Sequence, residues 1–130
     1  MDYDSFMGVR WTIDHSARRV EITLEGETGP DEAVRFFDAL EAAQAIPYSK
    51  LLDATLAVVK IDNRVMAIVG QRIAGYVNPG PIAVVLPARG LEGHAKLFAM
   101  AVDAESRTRM FRTSIEAREW LDSIKLPKTA

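Results

Sequence analysis

The chain contains no cysteine, and this absence removes several kinds of chemistry at once. Without thiols there are no disulfides, no thiol nucleophiles, no cysteine-based zinc sites and no iron–sulfur clusters. Only two histidines are present, His15 and His94, so a histidine metal site would require both to meet in the fold. The sequence therefore predicts no bound metal and no cofactor.

The sequence also lacks long apolar runs and an excess of basic charge. No stretch approaches the roughly 20 apolar residues that span a bilayer, and residues 1–6 carry acids where a signal peptide would be basic. The formal net charge of −2 argues against general affinity for nucleic acid, although Arg107, Arg109 and Arg112 form a local basic segment. We therefore expect a cytoplasmic protein without a membrane span or a nucleic-acid partner.

Familiar catalytic and nucleotide-binding motifs are missing as well. None of the serines lies in the Gly-x-Ser-x-Gly sequence of serine hydrolases. The segment 69–75 has two glycines, Gly70 and Gly75, but it lacks the Gly-Lys-Ser/Thr ending of a P-loop and falls inside a helical pattern. We expect these glycines to let a helix approach a neighbour or a ligand closely.

The length and composition of the chain are typical of an ordinary globular domain. The chain has 130 residues, of which 48% are hydrophobic and 26% charged. Domains most often have about 100–150 residues, so we expect a single domain over residues 1–130 with an ordered core at about 9–124.

The hydrophobic pattern along the chain predicts five strands and four helices. Alternating residues indicate a hairpin over 9–13 and 20–24, and apolar runs or short extended segments indicate strands at 50–53, 82–86 and 108–112. Helical spacing indicates helices from Thr28, from about Asp62, from about Gly90 and from Thr113. Thr28 and Thr113 each precede an acidic residue by three positions, which is typical of helix caps.

The element order is therefore ββαβαβαβα. Helices that alternate with strands favour right-handed crossovers and a mainly parallel sheet. The first strand is expected to lie antiparallel at one edge, with the helices packed on the sheet. This places the protein in the α/β class.

The whole chain resembles the STAS-like fold of anti-sigma-factor antagonists, and more closely the uncharacterised SpoIIAA-like family of small bacterial proteins. The resemblance covers roughly residues 9 to 124. It depends on Trp11 in the first strand, Val20–Gly26 leading into the first helix, Leu51-Leu52-Asp53 in the central strand, and Met110-Phe111-Arg112 followed by Ala117-Arg118-Glu119-Trp120-Leu121. It supports the fold more than any activity.

One departure from that resemblance concerns phosphorylation. Phosphorylated antagonists begin their second helix with an Asp-Ser-Ser/Thr-Gly-like motif whose hydroxyl accepts phosphate, and this changes which partner binds. Here the corresponding stretch is Ile61-Asp62-Asn63-Arg64, which has no hydroxyl. The serine switch is therefore absent, and Thr55 is the nearest substitute, with an ordinary loop threonine as the simpler interpretation.

Polar residues that follow the strands form a first candidate site. Asp53 and Thr55 follow the central strand, and Arg89 and His94 follow the next one, with Glu27, Thr28 and Thr113 at neighbouring positions. Because ligands of α/β sheets usually bind at the C-terminal edge, this set could hold a small polar ligand or a partner. The alternative is structural, since Asp53 could accept backbone hydrogen bonds within its own loop.

The second helix forms another candidate site. Its apolar residues cover more than one face, and the surplus includes Met66, Ile73 and Val77. Such residues could line a subunit interface or an apolar cavity. They are equally consistent with a helix that is covered on most sides by the core.

Three functions remain open from the sequence. The first is a non-catalytic STAS-like module that binds a protein partner or a second copy of itself. The second is a carrier or sensor of an apolar or amphipathic small molecule beside the second helix, as in the broadly similar lipid-carrying CRAL-TRIO domains. The third, ranked last, is an enzyme in which Asp53 and His94 form an acid–base pair. No catalytic residue is assigned.

Overall fold

The computed structural model of the protein describes residues 3–6, 8–26, 29–57, 63–86 and 108–124. In chain order the elements are β1 (Tyr3–Phe6), β2 (Val9–Asp14), β3 (Arg19–Gly26), α1 (Pro30–Ala42), β4 (Ser49–Ala57), α2 (Asn63–Ala74), β5 (Ile82–Val85), β6 (Thr108–Phe111) and α3 (Ser114–Ser123). The helix predicted from about Gly90 lies outside the described residues.

The strands form one six-stranded sheet in which spatial order follows chain order, from β1 to β6. Strands β1, β2 and β3 pair antiparallel, whereas β3 to β6 pair parallel. The predicted α/β class with a mainly parallel sheet and an antiparallel edge is confirmed. The structure adds β1, which the sequence analysis did not predict, so the first predicted strand is second from the edge.

Helices α1 and α2 cover one face of the sheet. Period-two alternation directs Val9 and Trp11 of β2 and Val20 and Ile22 of β3 to this face, where they pack with Leu40 of α1. Phe37, Ile73, Ile82 and Val84 continue the same layer under α2. Helix α1, which the helical spacing predicted, faces this layer with Ala33, Phe37 and Leu40 buried.

Helix α3 covers the other face over β4 and β5. Leu51, Ala83 and Val85 pack there against Ala117 and Leu121. Strand β5 is consequently buried on both faces, as the continuous apolar run predicted.

The helix starts differ from each other. Thr113 caps α3 as predicted, because its hydroxyl oxygen accepts a hydrogen bond from the Glu116 amide at 3.2 Å. The predicted Thr28 cap of α1 is wrong, since the N-cap is Gly29, which has no side chain to accept a bond. Pro30 at the first helical position removes one of the amides that a cap would satisfy.

None of the helices in the described part of the chain has the length and apolarity needed to cross a membrane.

Candidate functional site

The sequence placed its first candidate site at the C-terminal edge of the sheet, near Asp53. Asp53 pairs with Val85, the last residue of β5, on one side. On the other side of β4, the pairing with β3 continues as far as Ala57. The register of this pairing shifts between Thr23 and Glu25 of β3. The prediction that β4 ends at Asp53 was therefore wrong, because an irregular pairing extends the strand.

The Asp53 carboxylate is engaged in its own strand. Its Oδ1 accepts hydrogen bonds from the Thr55 amide at 2.9 Å and from the Thr55 hydroxyl at 2.6 Å. Such a bond from residue i to residue i+2 is a common local use of aspartate, and here it stabilises the strand where the register shifts. Asp53 therefore contacts Thr55 and accepts a local backbone hydrogen bond, as the structural alternative in the sequence analysis described.

A charged group on helix α3 lies close to Asp53. Arg118 donates two hydrogen bonds to Glu21 of β3, one from Nη1 to Oε2 and one from Nη2 to Oε1 at 3.0 Å. Glu21 pairs with Leu51, two residues before Asp53, so both carboxylates lie on the α3 face of the sheet. We call Glu21, Asp53, Thr55 and Arg118 the Arg118 cluster.

The electrostatics of the Arg118 cluster favour fixed charges. The hydrogen bonds from Arg118 hold the pKa of Glu21 below its ordinary value, although partial burial opposes this shift. The hydrogen bonds to Glu21 raise the pKa of Arg118, and the negative charges of Asp122 and Asp53 act in the same direction. Groups that stay ionised at neutral pH are poorly suited to general acid–base catalysis, which needs a pKa near the working pH.

The other members of the predicted polar set fall in several places. Thr113 is the cap of α3. Arg89 and His94, and with them the predicted pair of Asp53 and His94, lie outside the described residues, as do Glu27 and Thr28. Within the described ranges, no group of three or more histidine, cysteine or acidic side chains could hold a metal ion.

Helix α2, the second candidate site, faces the core with part of its apolar surplus. Ile73 is only 7% exposed and packs against Phe37, Ile82 and Val84, so it is a core residue and does not contribute to an exposed surface. Met66 lies in the first half of α2, and its side chain is outside what the structure describes.

A polar seam closes the outer side of the contact between α1 and α2. Arg72 donates to Asp38 at 2.9 Å and to Glu41 at 2.5 Å, and the Tyr76 hydroxyl donates to Glu41 at 2.6 Å. Hydrogen bonds with Tyr76 and Arg72 lower the pKa of Glu41, while burial raises the pKa of Tyr76. These hydrogen bonds connect α1 with Arg72 of α2 and with Tyr76, which follows α2.

Three large apolar side chains of the described residues are exposed. Leu56 is 62% exposed and Ile115 is 70% exposed, whereas Val77 is completely exposed. Leu56 lies near the end of β4, and Ile115 lies at the start of α3, directly after β6. Since β4, β5 and β6 are parallel, Leu56 and Ile115 share the C-terminal edge of the sheet, and Val77, which precedes β5, lies at the opposite edge.

The sequence analysis missed a buried lysine at the N-terminal edge. Lys50 is 5% exposed, and its Nζ donates to the carbonyl oxygens of Ile46 at 2.5 Å, Tyr48 at 2.9 Å and Pro79 at 2.5 Å. Burial lowers the pKa of Lys50 to about 7. The signal in the sequence was a lysine at the first position of an apolar strand, which is also typical of a solvated strand end.

The comparisons with known proteins establish only the fold of the chain. No protein-family model matches the chain, and no curated protein is significantly similar to it. A solved structure that is similar is an uncharacterised protein of the DUF3478 family with a SpoIIAA-like fold, from Shewanella loihica PV-4. The two chains are 14% identical, and they superpose with a TM-score of 0.67 over 91% of this chain and 97% of that chain. This chain therefore has a SpoIIAA-like fold, as the resemblance in its sequence predicted.

Proposed function

We propose that the protein is a non-catalytic interaction module of the STAS-like type, and that it binds a protein partner through the C-terminal edge of its sheet. The observation that carries the proposal is the exposure of Leu56 and Ile115 at this edge, 62% and 70% respectively. The known fold of the similar solved structure is compatible with the proposal but does not assign it.

The polar side chains at the same edge support binding over catalysis. Asp53 is occupied by Thr55, and Thr113 and Glu116 are occupied by the cap of α3. Groups that satisfy one another locally have little capacity left for a polar substrate. Among the residues that the structure describes at this edge, the exposed apolar side chains of Leu56 and Ile115 are therefore the better candidates for binding.

Leu56 and Ile115 have the properties of interface anchors. Complete burial of either side chain by a partner would contribute roughly 1–2 kcal/mol to binding, because each is already partly buried in the free protein. Exposed charged residues stand beside them, since Glu25 pairs with Leu56 across the sheet and Arg112 precedes α3. An apolar centre with a charged rim is the usual anatomy of a protein interface, so we expect a partner with an apolar centre of its own.

Site-specific photo-crosslinking in cells tests this proposal. A photoreactive phenylalanine analogue is placed at position 56, at position 115 or, as the matched control, at the exposed position 77. We expect discrete crosslinked protein from positions 56 and 115 and none above background from position 77. A product of twice 14.4 kDa would identify a second copy of the chain, and a different mass would identify another protein.

The opposite pattern would overturn the proposal. If positions 56 and 115 give no more crosslinked protein than position 77, this edge is not a protein-binding surface. Native mass spectrometry of gently purified protein covers the carrier alternative, because a bound small molecule that is lost on denaturation would favour a carrier. A protein without such a mass gives that alternative no support.

A further inference from the structure

Strand β6 is an edge strand, at the opposite side of the sheet from β1. It pairs with β5, and the Phe111 carbonyl accepts from the Leu86 amide at 2.9 Å, so the backbone groups of Phe111 face β5. Because successive residues of a strand direct these groups to alternate sides, those of Thr108 and Met110 face away from β5. In the part of the chain that the structure describes, no strand pairs with this outer side of β6.

The side chains of β6 divide between the two faces of the sheet. Met110 packs in the layer under α2, whereas Phe111 packs in the layer under α3, where its ring centroid lies 5.7 Å from that of Trp120. Arg109 is exposed on the same face as Phe111, and its guanidinium lies over the Trp120 ring, 5.7 Å from the centroid. These three side chains form a basic and aromatic surface beside the outer side of β6.

Two arginines at β6 have no carboxylate partner among the described residues. Arg109 and Arg112 are both exposed, and neither forms an ion pair with a described acidic side chain. The nearby Glu116 carboxylate accepts from the Thr113 hydroxyl at 3.0 Å, within the cap of α3. The basic segment noted in the sequence thus lies on an edge strand, where it is complementary to a negatively charged partner.

Charged side chains on an edge strand can also prevent unwanted pairing. Such a charge acts by lying in the path of an incoming strand. Arg109 instead lies against Trp120 on the α3 face, where the attraction between the cation and the ring holds it. Its guanidinium is therefore away from the in-plane position that an added strand would take.

We propose that β6 is the docking strand for an extended, acidic segment of the protein partner. The segment extends the sheet through backbone hydrogen bonds with Thr108 and Met110. Its acidic side chains lie beside Arg109 and Arg112. In this mode of peptide recognition, the backbone bonds provide affinity and the side chains provide specificity. Ile115 follows closely after β6, so the inference rests on the proposed function and names the chemistry of its partner.

An NMR titration of the full chain with two synthetic peptides tests the inference. The probe is an acetylated and amidated peptide of four Glu-Val repeats, and its matched control has four Lys-Val repeats. We expect the Glu-Val peptide to shift the amide signals of Thr108 and Met110 and the indole signal of Trp120. The Lys-Val peptide should leave them unchanged. No shift at a peptide concentration of about 1 mM, or equal shifts with both peptides, would overturn the inference.

Arginine variants locate the charge that attracts the peptide. Arg109→Gln and Arg112→Gln should each weaken binding of the Glu-Val peptide by about two- to fivefold, the range for cross-strand pairs of opposite charge. Arg35→Gln removes the same charge from α1, on the other face of the sheet, and should leave binding unchanged. All three positions are exposed, so the variants should fold. An equal loss in Arg35→Gln would assign the attraction to net charge and would overturn docking at β6.

Two further outcomes separate this inference from other assignments. Tighter binding of an eight-nucleotide oligothymidylate at β6 would assign the surface to single-stranded nucleic acid and would overturn the acidic segment. Photo-crosslinking from positions 56 and 115 is an independent readout of the proposed function. Crosslinks without peptide binding at β6 would overturn this inference alone. Peptide binding at β6 without crosslinks would overturn only the proposed function.

Discussion

At the scale of single residues, the structure assigns Asp53, Thr55 and Thr113, the members of the polar candidate site that it describes, to local support. Thr113 is the clearest example, because its hydroxyl accepts from the Glu116 amide at 3.2 Å and donates to the Glu116 carboxylate at 3.0 Å. This reciprocal arrangement satisfies an amide that the first turn of α3 would otherwise leave without a partner. The same residue therefore cannot be counted among the free ligands of the C-terminal edge.

The cap makes a direct prediction about stability. Thr113→Ala should lower the free energy of unfolding by about 1 kcal/mol, within a range of roughly 0.5–2 kcal/mol, because one helix amide loses its acceptor. Urea denaturation measures the change. Thr113→Ser should retain most of the stability, and Ser16→Ala, in the exposed turn after β2, should have almost no effect. An equal loss in Thr113→Ser would show that the methyl group, and not the cap, stabilises the helix.

At the scale of elements, the pair of Glu21 and Arg118 attaches α3 to a strand that its apolar stripe does not reach. Ala117 and Leu121 pack over β4 and β5, whereas Arg118 extends to β3. The two partners are 97 residues apart in sequence, so no local pattern indicates their contact. The interaction is partly exposed, at 43% and 42% for the two side chains, and solvent therefore weakens it.

A double-mutant cycle measures what this connection contributes. We expect Glu21→Gln and Arg118→Met to show a coupling free energy of about 0.5–1 kcal/mol at pH 7, a value for a bidentate pair near the surface. Because the pKa of Glu21 is lowered in the fold, the coupling is fully present above the ordinary glutamate pKa and is lost as the pH falls through the lowered value. A coupling that survives at pH 2 would contradict an ionic origin.

The pair of Arg10 and Glu25 is the matched control for that cycle. Its side chains are 38% and 46% exposed, close to the values for Arg118 and Glu21, but both partners belong to the β2–β3 hairpin. Its coupling should leave the hydrogen exchange of α3 unchanged, whereas loss of the Arg118 pair should increase exchange in that helix. If both pairs affect α3 equally, the attachment is not specific to Arg118.

At the scale of the whole molecule, the sequence predicts the fold better than the site. The continuous apolar run of β5 and the alternation of β2 and β3 are direct consequences of burial on two faces or on one, and periodicity alone reveals them. Strand β1 was missed because Tyr3-Asp4-Ser5-Phe6 has too few residues to establish a period.

The candidate site was harder to predict because it depends on contacts between distant elements. The sequence singled out Asp53 as a site candidate, but its hydrogen bonds to Thr55 became evident only once the structure showed that β4 continues past it. Lys50 gave no usable signal, since its acceptors are backbone oxygens from two loops whose closure the side-chain pattern does not encode. Residue types predict layers, whereas the closure of loops requires the structure.

The two tryptophans test whether the layers on both sides of the sheet unfold as one unit. Trp11 packs in the layer under α1, and Trp120 packs beside Phe111 in the layer under α3. In protein labelled with fluorotryptophan, each residue gives its own ¹⁹F resonance, so one urea titration follows both layers. If the chain is a single cooperative domain, both native signals should disappear at the same urea concentration.

Val84→Ala makes this test quantitative, because Val84 is 4% exposed in the layer that contains Trp11 and lies on the strand between the two layers. The substitution should lower the free energy of unfolding by about 2–3 kcal/mol, through lost burial and an unfilled cavity. Both ¹⁹F signals should shift to lower urea by the same amount. Val77→Ala makes the same chemical change at a fully exposed position. It should change the free energy of unfolding reported by either signal by no more than about 0.5 kcal/mol. A loss of the Trp11 signal before the Trp120 signal would instead mean that the sheet separates two independently stable layers, and a single-domain description would then be wrong.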